Sequence, residues 1–279
     1  MIACLALSNL PGPSPAKTEY KDPSLEIKET TQGGRYAIWI MPPKLLEATL
    51  KLETSGKNMG LNRKTPFTMD VSSKTIDFSR PTSILQASQR DTNQEYQFTW
   101  HYTWLYGLRG GKPDPHVGYS LPFKKGTRCT VNQGYFGSYS HQRGSPDQYA
   151  LDFNQPEGTP VLAAREGMVI AVRSDSNLGG RDIETYKHTA NYIVIKHADG
   201  TYGEYWHLQQ NSPVVKLGQK VKRGQHIANV GATGAVTCSH LHFAVITPND
   251  DVFQVTYPVK FETASGVVDP VEGETYIAE

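Results

Sequence analysis

Cysteine is scarce in this sequence: Cys4, Cys129 and Cys238 are the only three in 279 residues. An odd, low count excludes a dense disulfide framework, so the fold must rest on apolar burial, with Cys129–Cys238 as the one bridge to consider. Long apolar runs are missing too. No stretch approaches the roughly 18 residues of a membrane span. The opening Met1-Ile-Ala-Cys-Leu-Ala-Leu lacks the charged start and the length of a full export signal. Nor is there an excess of one charge. The formal net charge is +1, and Lys and Arg form no stripe, which removes the electrostatic footprint of a nucleic-acid binder. Lys220, Lys222 and Arg223 read as solvated turn residues. The second half shows no long helical periodicity. What remains is an apolar content of 38%, in a chain long enough for one large or two modest domains.

The organisation along the chain is all-β. Residues 1–25 read as a flexible lead-in or trimmed export signal, with Pro, Ser and Lys abundant from residue 8 onward. Met1-Ile-Ala-Cys4 resembles the tail of a bacterial lipoprotein signal, which would make Cys4 a lipid anchor; the plain alternative is a disordered N-terminus. Residues 26–110 alternate with period two. Ala48, Leu50 and Leu52 share one strand face, as do Tyr96, Phe98, Trp100, Tyr102 and Trp104. This predicts a β-sandwich-like accessory domain with the aromatic stripe as core, a ligand platform being the alternative. Arg109-Gly-Gly-Lys-Pro-Asp-Pro is the best boundary. Residues 111–270 hold short strands at close spacing, including a hairpin across Ala198-Asp199-Gly200, and predict a second all-β domain, a barrel or sandwich. Residues 174–190 form a polar insert long enough to wall a site, and 271–279 read as a tail.

The chemistry gathers in that second domain. In Cys238-Ser-His240-Leu-His242-Phe, residues two apart on a strand point to one face, so His240 and His242 project together while Leu241 and Phe243 enter the opposite layer. Paired imidazoles are poor core material and good metal or acid–base material. Asp152 lies between Leu151 and Phe153 and faces away from both, where a closed surface would demand a cation or hydrogen bonds. His207 ends the strand after the hairpin, and His141 sits in a loop before Asp152. A single zinc ion accounts for these residues together, since a catalytic zinc takes three N or O ligands and keeps one position for water.

Residues from about 118 to 250 also resemble the lysostaphin-type, or LytM-type, zinc endopeptidases that cut peptidoglycan peptides. The matching pieces are Ser-His141, Tyr149-Ala-Leu-Asp152-Phe, Gly158-Thr-Pro-Val-Leu-Ala-Ala, Gly167-Met-Val, Tyr192-Ile-Val-Ile-Lys-His, Tyr205-Trp-His207-Leu, Gly218-Gln-Lys-Val-Lys-Arg-Gly-Gln, Val230-Gly-Ala-Thr-Gly and His240-Leu-His242-Phe, all in the family's order. The resemblance implies an antiparallel β barrel-sandwich with a groove across one sheet. It implies that His141, Asp152 and His242 bind zinc and that His207 and His240 are the non-ligand catalytic pair. It implies a peptidoglycan peptide as substrate, and hence an envelope-located or secreted protein. Two features depart from the commonest pattern. The first His usually stands with three residues between it and the Asp, a position that Gln148 occupies here, so His141 serves from farther upstream across an inserted loop. Cys238-Ser239 also replaces a Gly-Pro-like pair. Some relatives of this fold lack ligands and act as wall-binding scaffolds or activators of other hydrolases; this chain retains all five residues. A third reading centres on carbohydrate or partner binding by the N-terminal sandwich. Of the other histidines, His197 is expected at the surface, His226 on a surface strand, and His188 in the insert near substrate. His101 and His116 lie outside the matched region.

Overall fold

The computed structural model describes the backbone of residues 2–6 and the whole of residues 24–279. The side chain of Cys4 and nearly all of the lead-in lie outside the described residues. Among the described residues no helix is long and apolar enough to cross a membrane. The chain divides into two compact units, Met1–Leu105 with Asp250–Val252, and Tyr106–Asn249 with Phe253–Glu279.

The first unit holds two four-stranded sheets. One has the order β1 (Ile2–Ala6), β8 (Gln97–Tyr106), β4 (Glu47–Lys57) and β6 (Phe67–Ser72). The other runs β2 (Ile27–Gln32), β3 (Arg35–Ile40), β7 (Thr82–Gln89) and β5 (Met59–Leu61). The alternation seen in the sequence is the alternation of burial. Phe98, Trp100, Tyr102 and Trp104 of β8 are buried, with Ala48, Leu50 and Leu52 of β4. The Phe98 ring lies 4.9 Å from that of Tyr36 on β3. The aromatic stripe is thus core between two sheets, as a sandwich requires.

The second unit is organised by a nine-stranded sheet. Its order is β17 (Lys220–Val221), β13 (Gly167–Arg173), β15 (Tyr192–Lys196), β16 (Tyr202–Trp206), β20 (His240–Pro248), β11 (Leu151–Asn154), β10 (Arg128–Gln133) and β24 (Thr275–Ile277), with β21 (Gln254–Tyr257) also paired to β20. Neighbours in this sheet are antiparallel. The path is open at both ends, so the sheet does not close into a barrel. Shorter pairs accompany it: β12 (Pro160–Leu162) with β18 (His226–Asn229), β14 (Gly179–Gly180) with β19 (Gly234–Ala235), and β9 (Tyr119–Ser120) with β22 (Phe261–Thr263) and β23 (Gly266–Val268). The insert at 174–190 carries β14 and a single helical turn, Ile183–Tyr186. Behind the sheet, Phe153 of β11 packs edge-on against Phe123 and Phe261, and Phe243 of β20 against Tyr205 of β16.

Five expectations change. Residues 271–279 are not a tail, because Thr275–Ile277 completes an edge of the main sheet beside β10. The barrel alternative gives way to the open sheet. Cys129 and Cys238 are both free, the first buried and the second exposed: Cys129 points into the core of β10, while Cys238 precedes β20 at the surface. His197, expected outside, is 2% exposed. The hairpin folds back so that its Nδ1 donates to the Glu166 carbonyl at 2.8 Å, with its ring edge-on to Tyr119. Burial pushes its pKa down to about 4, which keeps it neutral. Arg223 is also less solvated than its neighbours, being paired to Glu262 at 2.6 Å.

Glu204, in the middle of β16, is buried. Burial and the negative charge of Asp147 push its pKa up to about 7, against an opposing pull from His242. A raised acid stabilises the fold in its protonated form. That contribution is complete below the unfolded value near 4.5 and is lost as pH climbs to about 7. Glu204→Gln should therefore match the wild type at pH ~5 and exceed its stability by about 3 kcal/mol at pH ~8. Urea denaturation in chelator at both pH values checks this. Equal differences at the two pH values would show that Glu204 is not the titrating group.

Candidate active site

The central strands place the site. On β11 and β20, Asp152 is the direct cross-strand partner of His242, and His240 sits opposite Asn154, one step along the same face. Leu151, Phe153, Leu241 and Phe243 take the core face, so strand alternation alone delivers Asp152, His240 and His242 to one surface. Asp152 Oδ1 lies 3.0 Å from His242 Nδ1, 3.7 Å from His240 Nε2 and 3.6 Å from His141 Nε2.

Two further imidazoles arrive by departures from regular structure. After Trp206, His207 would turn to the core face if β16 continued. Instead it adopts φ 64°, a left-handed conformation that costs a side-chain-bearing residue on the order of 1 kcal/mol or more, and its ring lies 4.7 Å from that of His240, tilted by 53°. His207 Nδ1 donates to the Thr233 carbonyl at 2.7 Å. The next residue, Gly234, has φ +89°, and a Cβ there would stand 3.1 Å from His207 Nδ1 and 2.6 Å from Ala190 Cβ. Glycine is what lets this carbonyl reach the ring. His141 comes from the loop between β10 and β11 and is 0% exposed. Its Nδ1 donates to the Gly134 carbonyl at 3.2 Å, which leaves Nε2 facing Asp152 as a lone pair. That Nε2 is a buried atom with no hydrogen-bond partner. Gln148 lies outside the cluster, its side chain accepting from Gly144 N–H at 3.2 Å, so the upstream His141 supplies the imidazole.

Gln133, unremarked in the sequence, organises the carboxylate. Strand β10 alternates regularly to Val131, which faces Phe153 across β11. A bulge then sets Gln133 opposite Asp152, turning onto the groove face a side chain that alternation would bury in the core. Its Nε2 donates to Asp152 Oδ2 at 2.9 Å and to Ser140 Oγ at 2.8 Å. Its Oε1 accepts from the Tyr139 and Ser140 amides at 3.1 and 2.9 Å.

The electrostatics follow from burial and these partners. Burial works to raise Asp152, yet the His242 hydrogen bond and the charges of His242, His240 and His141 outweigh it and hold the carboxyl well below its usual range. Burial works to lower His242, yet the hydrogen bond and charge of Asp152 lift it to about 9. His141 is lowered, by burial first and then by His242. Burial, with the neighbouring His240 and His242, brings His207 down to about 3. One proton is therefore shared at Asp152–His242, while His141 and His207 are neutral. Ligand atoms of His141, Asp152 and His242 lie within 4.8 Å of one another. An unpartnered buried imidazole nitrogen, a carboxylate and a third nitrogen, each with its outer atom tied to a backbone carbonyl or an amide or set in a strand pair, are a donor set that fits a divalent metal.

A cleft of about 220 Å³ opens over the cluster, lined by Asp152, His207, His240 and His242 together with residues 138–140, 235–237 and Glu272. Larger hollows of about 740 and 880 Å³ lie in the first unit and hold none of the five residues. His188 does not line the cleft, and His226 is exposed on β18. The insert contributes indirectly, since β14 pairs in parallel with β19 and so braces the segment that carries Thr233 and Ala235.

A divalent ion bound by this cluster would have to displace the proton held on His242. Affinity for a divalent ion should rise about tenfold per pH unit between pH ~6 and ~8, and Gln133→Leu should weaken it about ten- to a hundredfold at any pH in that range. Chelator competition with Zn²⁺ or Co²⁺ reads both. A flat pH profile would mean that His242 carries no proton in the metal-free cluster.

Residues 147–254 match the model of peptidase family M23. Over 101 residues the chain is 42% identical to peptidoglycan DD-endopeptidase ShyB of Vibrio cholerae, a match covering 36% of this chain and 21% of that one. It is 37% identical over 93 residues to cell division protein DipM of Caulobacter vibrioides, covering 33% and 13%. With glycyl-glycine endopeptidase ALE-1 of Staphylococcus capitis it shares 30% identity over 135 residues, covering 48% and 34%. The matches thus span about a third or less of each relative. The family match contains the stretch from Asp152 to His242, with His141 just upstream of it, and the open antiparallel sheet carries Asp152, His240 and His242 on one face: the second unit of this chain contains a peptidase M23 domain.

Proposed function

We propose that this protein is a zinc-dependent endopeptidase that hydrolyses peptide bonds in bacterial peptidoglycan, and that it works in the cell envelope or outside it. The observation that carries the reading is the convergence of His141 Nε2, Asp152 Oδ1 and His242 Nδ1 beside a second, differently held pair of imidazoles, inside an M23 domain. The names of the relatives, two of them endopeptidases and one of these a peptidoglycan enzyme, support the substrate class.

His141, Asp152 and His242 would hold the zinc, which when bound supplies Lewis acidity and an acidified water. His207 and His240 have a different task. Each donates Nδ1–H to a backbone carbonyl, Thr233 for His207 and Cys238 at 2.9 Å for His240. Each therefore presents Nε2 to the cleft. His207, neutral through the working range, can accept a proton at Nε2 and return it to the leaving amine. His240 Nε2, near Asp152, faces the cleft where negative charge would develop on the scissile carbonyl oxygen, and would steady it there. The fixed Nδ1 contacts hold both tautomers and ring orientations.

His207→Ala and His240→Ala should keep stoichiometric zinc and lose about a hundredfold or more in turnover; His242→Ala should lose the metal as well. Purified peptidoglycan digested with and without chelator and zinc add-back, and read by mass spectrometry, tests the whole reading. Peptide-cleaved fragments that depend on metal are the expected result. If the folded, zinc-loaded protein releases nothing from several wall types, the chain is a scaffold or acts on another peptide. Normal turnover in either His variant removes that residue from the mechanism.

A further inference from the structure

Among the side chains lining the cleft, Glu272 is the one charged group outside the metal cluster. It comes from the Val271–Glu274 turn just before β24, beyond the stretch matched to the family. That turn is fastened to β10: Gly273 N–H donates to the Val131 carbonyl at 2.8 Å, and Val131 N–H to the Glu274 carbonyl at 3.0 Å. Glu272 Oε2 accepts from Gly134 N–H at 3.0 Å. The other face of Gly134 serves His141 through its carbonyl, so one residue links the Glu272 carboxylate to the cluster. Space for the carboxylate is provided by missing side chains. A Cβ on Gly134 would lie 3.1 Å from Glu272 Cβ, and one on Gly137 would lie 3.0 Å from Glu272 Oε2.

One oxygen is thus anchored, while the side chain has no cationic partner among the described residues and its residue is exposed. A carboxylate held in place has already lost much of its rotamer freedom, so a cation arriving at its free oxygen meets a pre-organised acceptor. No Lys or Arg lines the cleft to compete for it. Tyr139, 64% exposed on the same cleft, adds an aromatic face of the kind that ammonium groups favour.

We propose that Glu272 is a specificity-determining residue, an anionic subsite that takes the ammonium group of a peptide bound in the cleft. The inference rests on reading the cleft as a peptidase groove, and it narrows the substrate class to peptides carrying a free amine near the scissile bond. That amine belongs either to a diamino-acid side chain or to a peptide N-terminus.

The test uses the zinc-loaded full chain and three matched fluorescent peptides: one whose only free amine is a lysine side chain, one whose only free amine is the N-terminus, and one acetylated at both. Anisotropy gives Kd and chromatography gives kcat/KM. The wild type should prefer one free-amine peptide over the acetylated one by about five- to tenfold. Which peptide is preferred identifies the source of the amine. Glu272→Gln, whose amide oxygen can still accept from Gly134 N–H, should abolish that preference, and Glu272→Lys should reverse it. Equal binding of all three peptides by the wild type overturns the proposal. So does a preference that survives in Glu272→Gln, including the case where all three peptides weaken together, as a purely positioning role through Gly134 requires. Cleavage without amine preference sinks the subsite and keeps the peptidase. Amine-selective, Glu272-dependent binding without cleavage sinks the peptidase and keeps the subsite.

Discussion

The charge of Asp152 is the constraint to which the rest of the groove is fitted. A lone carboxylate removed from water costs several kcal/mol, and here three imidazoles and the Gln133 amide surround it. Those groups come from β10, β20 and the loop after β10, so satisfying one carboxylate on β11 fixes the relative placement of four segments. The same geometry limits how the cluster can be charged. Burial first, and then the repulsion between neighbouring imidazoles, drives His141 and His207 neutral, while His242, directly opposite the carboxylate, keeps a proton. A divalent ion relieves the mismatch better than a single proton does, so metal occupancy and the integrity of this part of the sheet are coupled.

What the sequence made legible was what alternation controls. Period-two patterning predicts β8, β11 and β20 with the correct buried face, including the aromatic core of the first unit, the shared face of His240 and His242 and the turn of Asp152 away from Leu151 and Phe153; that Asp152 meets the two histidines follows only from the pairing of β11 with β20. The resemblance of the second half to the M23 type brought His141 and His207 into the same group, although neither follows from periodicity. What stayed hidden depends on breaks in alternation or on groups that every residue possesses. Gln133 reaches Asp152 only because a bulge shifts the register after Val131. The carbonyls of Gly134, Thr233 and Cys238 that fix the imidazoles have no side-chain signature at all. His197 looked like a strand-end residue, and only the fold-back of its hairpin buries it.

The edge at β24 was missed for a related reason. Thr275-Tyr-Ile is too short to declare itself as a strand, and its pairing partner lies far back in the chain at β10. A short strand draws its stability from the neighbour it lies against rather than from its own composition. The clue was Gly273, which takes φ +85° in the turn ahead of the strand.

The place of β20 at the centre of the main sheet sets the order in which the molecule can be made. Strands β10, β11, β15 and β16 leave the ribosome long before His240–Pro248, yet β16 and β11 meet only through β20. Until that segment emerges, neither half of the sheet has its central partner, and long-range closure of this kind is slow. Phe243, packed in the core against Tyr205 and Phe261, is adjacent to His242 of the groove cluster. A chain that stops before His240 therefore lacks both the central strand and two of the five clustered imidazole and carboxylate side chains. One strand thus closes the centre of the sheet and brings the last two imidazoles to the cluster.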